Sequence, residues 1–166
     1  MIPTVSSKNA TQRISNELTH ILKSQPDKQG FSVTPIKNNI YLWELKFFNF
    51  DPKDAISQDL RTLRKDCILL HIAFPPTYPV HPPFVRVIRP RFAFRTGHVT
   101  VGGSICTELL TNKGWTPANT IEAVIVSIRA QFLEGGARLD LSNTRDYTEA
   151  EAKEAFDRMV QTHGWH

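Results

Sequence analysis

The 166-residue sequence predicts an α+β domain, in which one helix, an antiparallel sheet and two further helices follow one another. Three observations lead to this prediction. Apolar residues recur at helical spacing near both ends of the chain, and four apolar runs of strand length lie between them. An irregular stretch with three glycines then separates the strands from the last helices. The length suits one domain, so we treat residues 1–166 as a single unit.

Three helices are predicted from apolar stripes. The first covers residues 8–24 and ends before Pro26. The second covers residues 119–134, with Asn119 and Glu122 as a capping box, and the third begins at Thr148, with Glu151 completing the same motif. The faces expected to be buried are Ile14, Leu18, Ile21 and Leu22 in the first, Ile121, Val124, Ile125, Ile128 and Phe132 in the second, and Ala152, Ala155, Phe156, Met159 and Val160 in the third.

Four strands are predicted between the first two helices, and their order indicates an antiparallel meander. They are the runs FSVTPI, NIYLWELKFF, DCILLHIAF and FVRVI. The second run alternates, so one face of that strand carries Tyr41, Trp43, Leu45 and Phe47. The third is apolar almost throughout, which is typical of a central strand.

Three segments interrupt these elements. Residues 49–65 are long for a hairpin loop and rich in charge, which predicts a surface insertion with a helical turn around Leu60 and Leu63. The run FPPTYPVHPPF holds five prolines in eleven residues and predicts a rigid, extended crossing. The irregular residues 90–104 form the anomaly, because so long a structureless stretch inside a compact domain is usually functional.

Composition excludes several classes of protein. No run approaches the roughly 20 apolar residues of a membrane span, and the N-terminus lacks a secretory h-region, so we expect no membrane association and a place in the cytoplasm or nucleus. The net charge is +4, and a basic stripe lacks interleaved aromatic residues, which favours a solvated face over a nucleic-acid site. The stripe consists of Arg86, Arg89, Arg91 and Arg95.

The two cysteines differ in their surroundings. Neither has a partner at metal-ligand spacing, so we expect no metal, no cofactor and no disulfide scaffold. Cys67 lies in an apolar strand and is interpreted as a small core residue. Cys106 lies just after the irregular stretch.

Motifs in one consistent order carry a resemblance to a known family. From residue 30 to residue 135 the sequence resembles the ubiquitin-conjugating enzymes, which implies their UBC fold. The residues that carry the resemblance are Trp43, the Tyr78-Pro79-x-x-Pro82-Pro83 stretch, Gly103-Ser104-Ile105-Cys106, Glu108-Leu109-Leu110, Trp115, Pro117, Ala118 and Thr120-Ile121.

Further segments resemble the Q-type subfamily, over nearly the whole catalytic domain. They are HPPFVRV, the stretch from Gly102 to Thr111, Gly114-Trp115, the VQTHGW segment near the end, and the insertion at residues 49–65. Q-type proteins commonly carry an additional N-terminal region that is not seen here, so the resemblance implies either a short member or part of a longer chain.

One position departs from the common family pattern. Most members have an Asn eight residues before the cysteine, where it is credited with steadying the loop and the oxyanion, and the Q-type has Tyr there. This sequence has His98, followed by Val99. The resemblance therefore implies a reaction in which the usual Asn takes no part.

The resemblance implies that Cys106 carries ubiquitin as a thioester. A thiolate is a good nucleophile for thioester exchange. Transfer to a Ser or Thr hydroxyl needs a general base, for which histidine is suited. We expect Cys106, His98 and His163 to converge, with His163 as base and His98 orienting the substrate or stabilising the oxyanion. The alternatives are a polar loop residue for His98 and a complement to the helix dipole for His163.

The resemblance also implies partners: ubiquitin, the ubiquitin-activating enzyme, a RING or HECT ligase, and a protein substrate. Arg13 matches the contact face for activating enzyme and ligase, and Val80, Pro117 and Ala118 match the two ligase-facing loops. Ordinary loop packing is the alternative for Val80. The second helix matches the surface on which donor ubiquitin closes.

Two other functions compete with conjugation. One is a non-catalytic UBC-fold module that binds ubiquitin or a ligase, although such variants typically lose the cysteine that this chain keeps. The other is a papain-like hydrolase, which is disfavoured because no helix begins at the cysteine and no Asn partner is evident.

Overall fold

The computed structural model describes residues 5–166, and over that range it consists of four α-helices and one four-stranded sheet. None of the helices in this range combines the length and the apolar character needed to cross a membrane. In chain order the elements are α1 (Val5–Lys23), β1 (Phe31–Ile36), β2 (Asn39–Phe47), α2 (Ala55–Leu63), β3 (Ile68–Ala73), β4 (Phe84–Arg89), α3 (Ile121–Glu134) and α4 (Glu149–His163), with short 3₁₀ helices at Pro26–Gln29 and Glu108–Leu110.

The sheet is an antiparallel meander in the order β1-β2-β3-β4, which confirms the predicted topology. Trp43, Leu45 and Phe47 of β2 are fully buried on one face, whereas Tyr41 is only half-buried. The Phe47 ring meets Phe132 of α3 edge-on, with 5.7 Å between the ring centroids. The core therefore lies between this face of the sheet and α3.

The stripe predicted for α3 is confirmed at all five positions. Its N-cap is Thr120 and not Asn119, because the extended backbone of Thr120 lets its hydroxyl accept a hydrogen bond from the Ala123 N–H at 3.2 Å. In α1, Leu22 is 55% exposed, so it does not belong to the buried stripe.

Helix α4 begins with the predicted capping box of Thr148 and Glu151. Ala152, Ala155 and Met159 of its stripe are buried, and the last two members of the stripe are half-buried. The helix packs on the outer side of β4, where the ring centroids of Phe84 and Phe156 are 5.5 Å apart.

The insertion at residues 49–65 is more than a surface loop, contrary to the prediction. The expected helical turn is helix α2, and its Ile56 and Leu60 belong to the core. Asp59 is also buried, and its carboxylate accepts two hydrogen bonds from Arg138, at 2.8 and 3.0 Å, and one from the Leu139 N–H at 3.0 Å. The insertion thus fastens the segment that follows α3.

The proline-rich crossing consists of turns and is not extended. The N–H of Tyr78 donates to the Pro75 carbonyl and that of Val80 donates to the Thr77 carbonyl. The turns bury the Tyr78 side chain, which is 1% exposed, and its hydroxyl donates to Glu17 of α1.

The basic stripe is mostly engaged in ion pairs and hydrogen bonds, so the solvated-face interpretation is wrong for three of its four members. Arg89 binds Asp146 in a bidentate pair at 2.9 Å, and Arg91 lies 2.8 Å from Glu151. Arg86 donates to the backbone carbonyl of residue 147 at 3.3 Å. These arginines fasten the segment before α4 to the edge of the sheet.

Candidate active site

Residues 98–106 of the irregular stretch form a tight hairpin that ends at Cys106. The Cys106 N–H donates to the His98 carbonyl at 2.7 Å, and Val99 pairs with Ile105. Near the tip, the hydroxyls of Thr100 and Ser104 are hydrogen-bonded at 2.7 Å. The cysteine therefore stands at the end of an ordered arm, and the 3₁₀ helix Glu108–Leu110 follows it.

Two glycines allow the hairpin to lie flat on its surroundings. A Cβ atom at Gly103, whose φ is +96°, would lie 2.6 Å from the Tyr147 ring, and one at Gly102 would lie 2.1 Å from the backbone oxygen of Glu151. The N–H of Val87 in β4 also donates to the Gly103 carbonyl at 2.8 Å. The hairpin is thus held between β4 and the start of α4.

The Cys106 thiol is half-buried and free of any disulfide. Burial raises its pKa, because a thiolate is poorly solvated there, and no neighbouring cation opposes the effect. Cys67 is also a half-buried free thiol, with a pKa raised by burial and by Asp66. It lies immediately before β3 and outside the core that was expected for it.

His98 meets Cys106 through its backbone. It has φ of +59°, in the left-handed region where His and Asn are enriched among non-glycine residues. Its exposed ring lies over the end of α3, where a Cβ atom at Gly135 would be 2.7 Å from Cδ2 of His98. A glycine at this helix end therefore makes room for the imidazole.

His163 is the last residue of α4, and its exposed ring is stacked on Trp165 with 4.3 Å between centroids. Lys113, which follows the 3₁₀ helix after Cys106, donates to the Gly164 carbonyl at 3.4 Å. Within residues 8–166, no hydrogen bond or ring contact joins either histidine side chain to the Cys106 sulfur. The predicted cysteine–histidine cluster stays a prediction.

The residues predicted to bind partners lie on α1 and on two loops that are joined to each other. Arg13 donates to the carbonyls of Pro117 and Asn119 at 2.9 and 3.0 Å. The indole N–H of Trp115 donates to the Pro79 carbonyl at 2.8 Å, which links the loop of Val80 to the loop of Pro117 and Ala118. Val80 is 64% exposed, and both members of the other loop are exposed as well.

Glu17 supports this face and was not found from the sequence. Its carboxylate accepts hydrogen bonds from the Tyr78 hydroxyl and from the Ile121 N–H, the latter at 2.9 Å, and it lies 3.3 Å from Arg13. It therefore joins α1, the proline-rich turns and the start of α3. Only the Arg13–Glu17 spacing of four residues was visible as a signal in the sequence.

Comparisons with known proteins agree with this geometry. The family model described as "Ubiquitin-conjugating enzyme" matches residues 13–163. The human protein named "Ubiquitin-conjugating enzyme E2 Q1" is 37% identical over 169 residues, which cover 96% of this chain and 40% of that protein. A Q-like ubiquitin-conjugating enzyme E2 of the mouse, Q-like protein 1, is 35% identical over 140 residues, which cover 81% of this chain and 86% of that protein. The chain thus spans about two fifths of the length of the first of these relatives and most of the second.

Solved structures share the fold. A ubiquitin-conjugating enzyme E2 from Plasmodium falciparum superposes with a TM-score of 0.60 at 24% identity, over 75% of this chain and 84% of that chain. One from Plasmodium vivax gives 0.57 at 26% identity, over 72% of this chain and 98% of that chain.

Proposed function

The chain belongs to the ubiquitin-conjugating enzyme family, and from this premise we propose that it carries ubiquitin as a thioester on Cys106. In the loading step the Cys106 thiolate attacks the thioester carbonyl of ubiquitin on the activating enzyme. A carbon–sulfur bond to Cys106 forms, the bond to the activating enzyme breaks, and its thiolate leaves. In the second step an acceptor of a protein substrate or ligase attacks, and the Cys106 thiolate leaves.

The observation that carries this proposal is the position of the thiol. Cys106 is half-exposed at the end of a hairpin whose backbone is fixed by the His98 carbonyl and by β4. A fixed nucleophile at an open position suits attack by a large partner, because the reacting sulfur is already oriented. The raised pKa means that the thiol rests mainly in its protonated form, which is less reactive toward other electrophiles.

We further propose that Ser and Thr hydroxyls are among the acceptors. An alcohol is hardly ionised at neutral pH, so its attack requires a base to take the proton. His163 would take it, and His98 would orient the acceptor or stabilise the oxyanion. Both imidazoles are exposed, and each is held by a neighbour, Gly135 for His98 and Trp165 for His163.

The acceptor chemistry is tested by discharge of the loaded protein. Ubiquitin-loaded protein is mixed with free lysine, serine or threonine, and loss of the adduct is followed on non-reducing gels. We expect discharge by serine and threonine, slowed at least tenfold in His163→Ala, consistent with the roughly 10²–10⁴-fold contribution of a general base. Discharge by lysine alone, unchanged in His163→Ala, would exclude hydroxyl transfer.

The matched control is Cys67→Ser, since it removes the other thiol. This variant should load and discharge like the parent protein. If Cys67→Ser abolished loading and Cys106→Ala did not, the thioester would be assigned to the wrong cysteine. If neither thiol loaded, the chain would be a non-catalytic binding module.

A further inference from the structure

An exposed aromatic side chain stands beside the reaction hairpin without a structural role. Phe94 is 73% exposed and Val101, near the hairpin tip, is 64% exposed. Both border a groove of about 230 Å³, which we name the Phe94 groove. It is formed by residues 91–95, 99–101, 140, 143 and 147.

The groove displays Phe94 on a rigid turn. The Thr96 N–H donates to the Ala93 carbonyl at 3.2 Å, and the Thr96 hydroxyl is within hydrogen-bonding distance of the carbonyls of Ala93, at 3.0 Å, and Arg138, at 3.1 Å. Isolated exposed apolar side chains are common on proteins. Two that flank one concave surface, one of them on a fixed turn, are typical of a binding site, because little entropy is lost when a partner covers them.

The charge at the groove is positive where it is free. Arg95 lies over the Phe94 ring at 5.1 Å and has no ion pair within residues 8–166. Arg91 is already paired with Glu151. The acidic member, Asp140, is satisfied locally by hydrogen bonds from Ser142 and Asn143, and its pKa is lowered by them. The cation that remains available to a partner is therefore Arg95.

The groove is close to the reacting sulfur along the chain. Val99, Thr100 and Val101 form one of its walls, and the residue before them, His98, is bonded to Cys106. Three residues of chain span at most about 11 Å. An extended peptide that reaches Cys106 with one side chain can thus place a side chain three or four residues away in the groove.

We propose that the Phe94 groove binds the acceptor segment of the substrate, and that it selects a bulky apolar side chain flanked by acidic residues three or four positions from the acceptor. The apolar side chain would contact Phe94 and Val101, and the acidic residues would pair with Arg95. The groove is smaller than the roughly 300–1,000 Å³ of small-molecule sites, which suits one or two peptide side chains. This inference rests on the proposed function, since it names a preference for the same reaction.

Matched peptides test the proposal. Each carries one acceptor residue, either lysine or serine, and a leucine between two glutamates three or four positions away on either side. Control peptides replace the glutamates by lysines or the leucine by serine. Transfer from ubiquitin-loaded protein is measured by mass spectrometry, and binding to the unloaded protein is measured from NMR shifts of residues 94–101.

Two substitutions in the groove have matched controls elsewhere on the surface. Arg95→Glu should reverse the preference between acidic and basic peptides, and Phe94→Ser should slow transfer to the leucine peptides by roughly tenfold, as expected for loss of one apolar contact. Leu22→Ser and Lys28→Glu alter an exposed apolar residue and an exposed cation on other elements and should change neither. Loading of Cys106 and discharge to free amino acids should be unchanged in all four.

The outcomes separate this inference from the proposed function. Normal loading with equal transfer to all peptides, or equal effects of groove and control substitutions, would overturn the inference and leave the proposed function standing. Absent loading together with NMR shifts confined to the groove would defeat the proposed function and keep the binding surface. Absent shifts at millimolar peptide would overturn the inference whether or not Cys106 is loaded.

Discussion

At the scale of single residues, the state of the Cys106 thiol is set by burial. No cation or protonated histidine lowers its pKa within the described chain, so the sulfur is protonated in most molecules at neutral pH. The cysteine–histidine cluster predicted from the sequence would have the opposite effect, because a nearby imidazolium stabilises a thiolate.

This contrast gives a pH-dependent prediction. In Cys67→Ser, the rate of alkylation of Cys106 by iodoacetamide should rise with pH, with a midpoint above about 8.5, the ordinary value for a free thiol. The sign follows from burial, which disfavours the thiolate and moves its formation to higher pH. A midpoint well below 8.5, lost in His98→Ala or His163→Ala, would show that an imidazole pairs with the thiol in solution.

Single residues also show why sequence patterns located the cysteine better than its neighbours. The Gly-x-Ile-Cys signature and the glycines before it are local, and they identified Cys106. The left-handed backbone of His98 and its ring contact over Gly135 depend on the end of a helix that lies more than thirty residues later. No local pattern specifies such a contact.

At the scale of elements, Glu17 couples α1 to the two segments that flank the partner-facing loops. Its side chain is only 11% exposed. The Tyr78 hydroxyl that binds it has a raised pKa, first because of burial and then because of the hydrogen bond to Glu17, so the phenol stays protonated as a donor.

Removing the two partners should have unequal effects on stability. Tyr78→Phe should lower the free energy of unfolding by roughly 1 kcal/mol, the net value of one hydrogen bond. Glu17→Ala should cost more, roughly 2–4 kcal/mol, because it also leaves the Ile121 N–H and the Tyr78 hydroxyl unpaired. Urea unfolding measures both.

Asn16→Ala, at an exposed position of the same helix, is the matched control for this comparison and should change the free energy of unfolding by less than about 0.5 kcal/mol. Equal effects of Glu17→Ala and Asn16→Ala would contradict the role assigned to the Glu17 carboxylate.

Helix α2 makes a second connection between distant elements, through Asp59. Because hydrogen bonds from Arg138 hold the Asp59 pKa below its ordinary value of 3.8, the ionised carboxylate stabilises the fold. That contribution is present above pH 3.8 and is lost as the pH falls below it.

Asp59→Asn should therefore lower the free energy of unfolding at pH 7, by roughly 1–3 kcal/mol for a weakened buried hydrogen-bond set. The difference from the parent protein should shrink between about pH 4 and pH 2, as protonation of the native carboxylate removes the same interaction. Urea unfolding across this range measures it. A difference that does not depend on pH would mean that packing of α2, and not the charge of Asp59, provides the stabilisation.

The elements also show which parts of the fold were predictable. The helices and strands carry apolar periodicity, and their order and the meander were predicted correctly. The insertion was judged by its charge, yet Asp59 is buried because Arg138, 79 positions later, neutralises it. Likewise, the arginine stripe has acidic partners 57 to 60 positions away that reveal themselves only in the folded chain.

At the scale of the whole molecule, the described chain keeps its potential reaction centre apart from its core. The sheet, α1 and α3 bury the large apolar side chains, while the hairpin of Cys106 lies between β4 and α4 and stays accessible. The partner-facing residues of α1 and the two loops form a separate face that Glu17 and Trp115 hold together.

The most direct test of this organisation is the intact mass of the protein after incubation with ubiquitin-activating enzyme, ubiquitin and ATP. We expect a mass increase of one ubiquitin less one water, removed by a thiol reductant and absent in Cys106→Ala. In Cys106→Ser the adduct should survive the reductant, because an oxyester replaces the thioester. An unmodified mass under conditions that load another ubiquitin-conjugating enzyme, or an adduct that persists in Cys106→Ala, would contradict the assignment of Cys106 as the carrier.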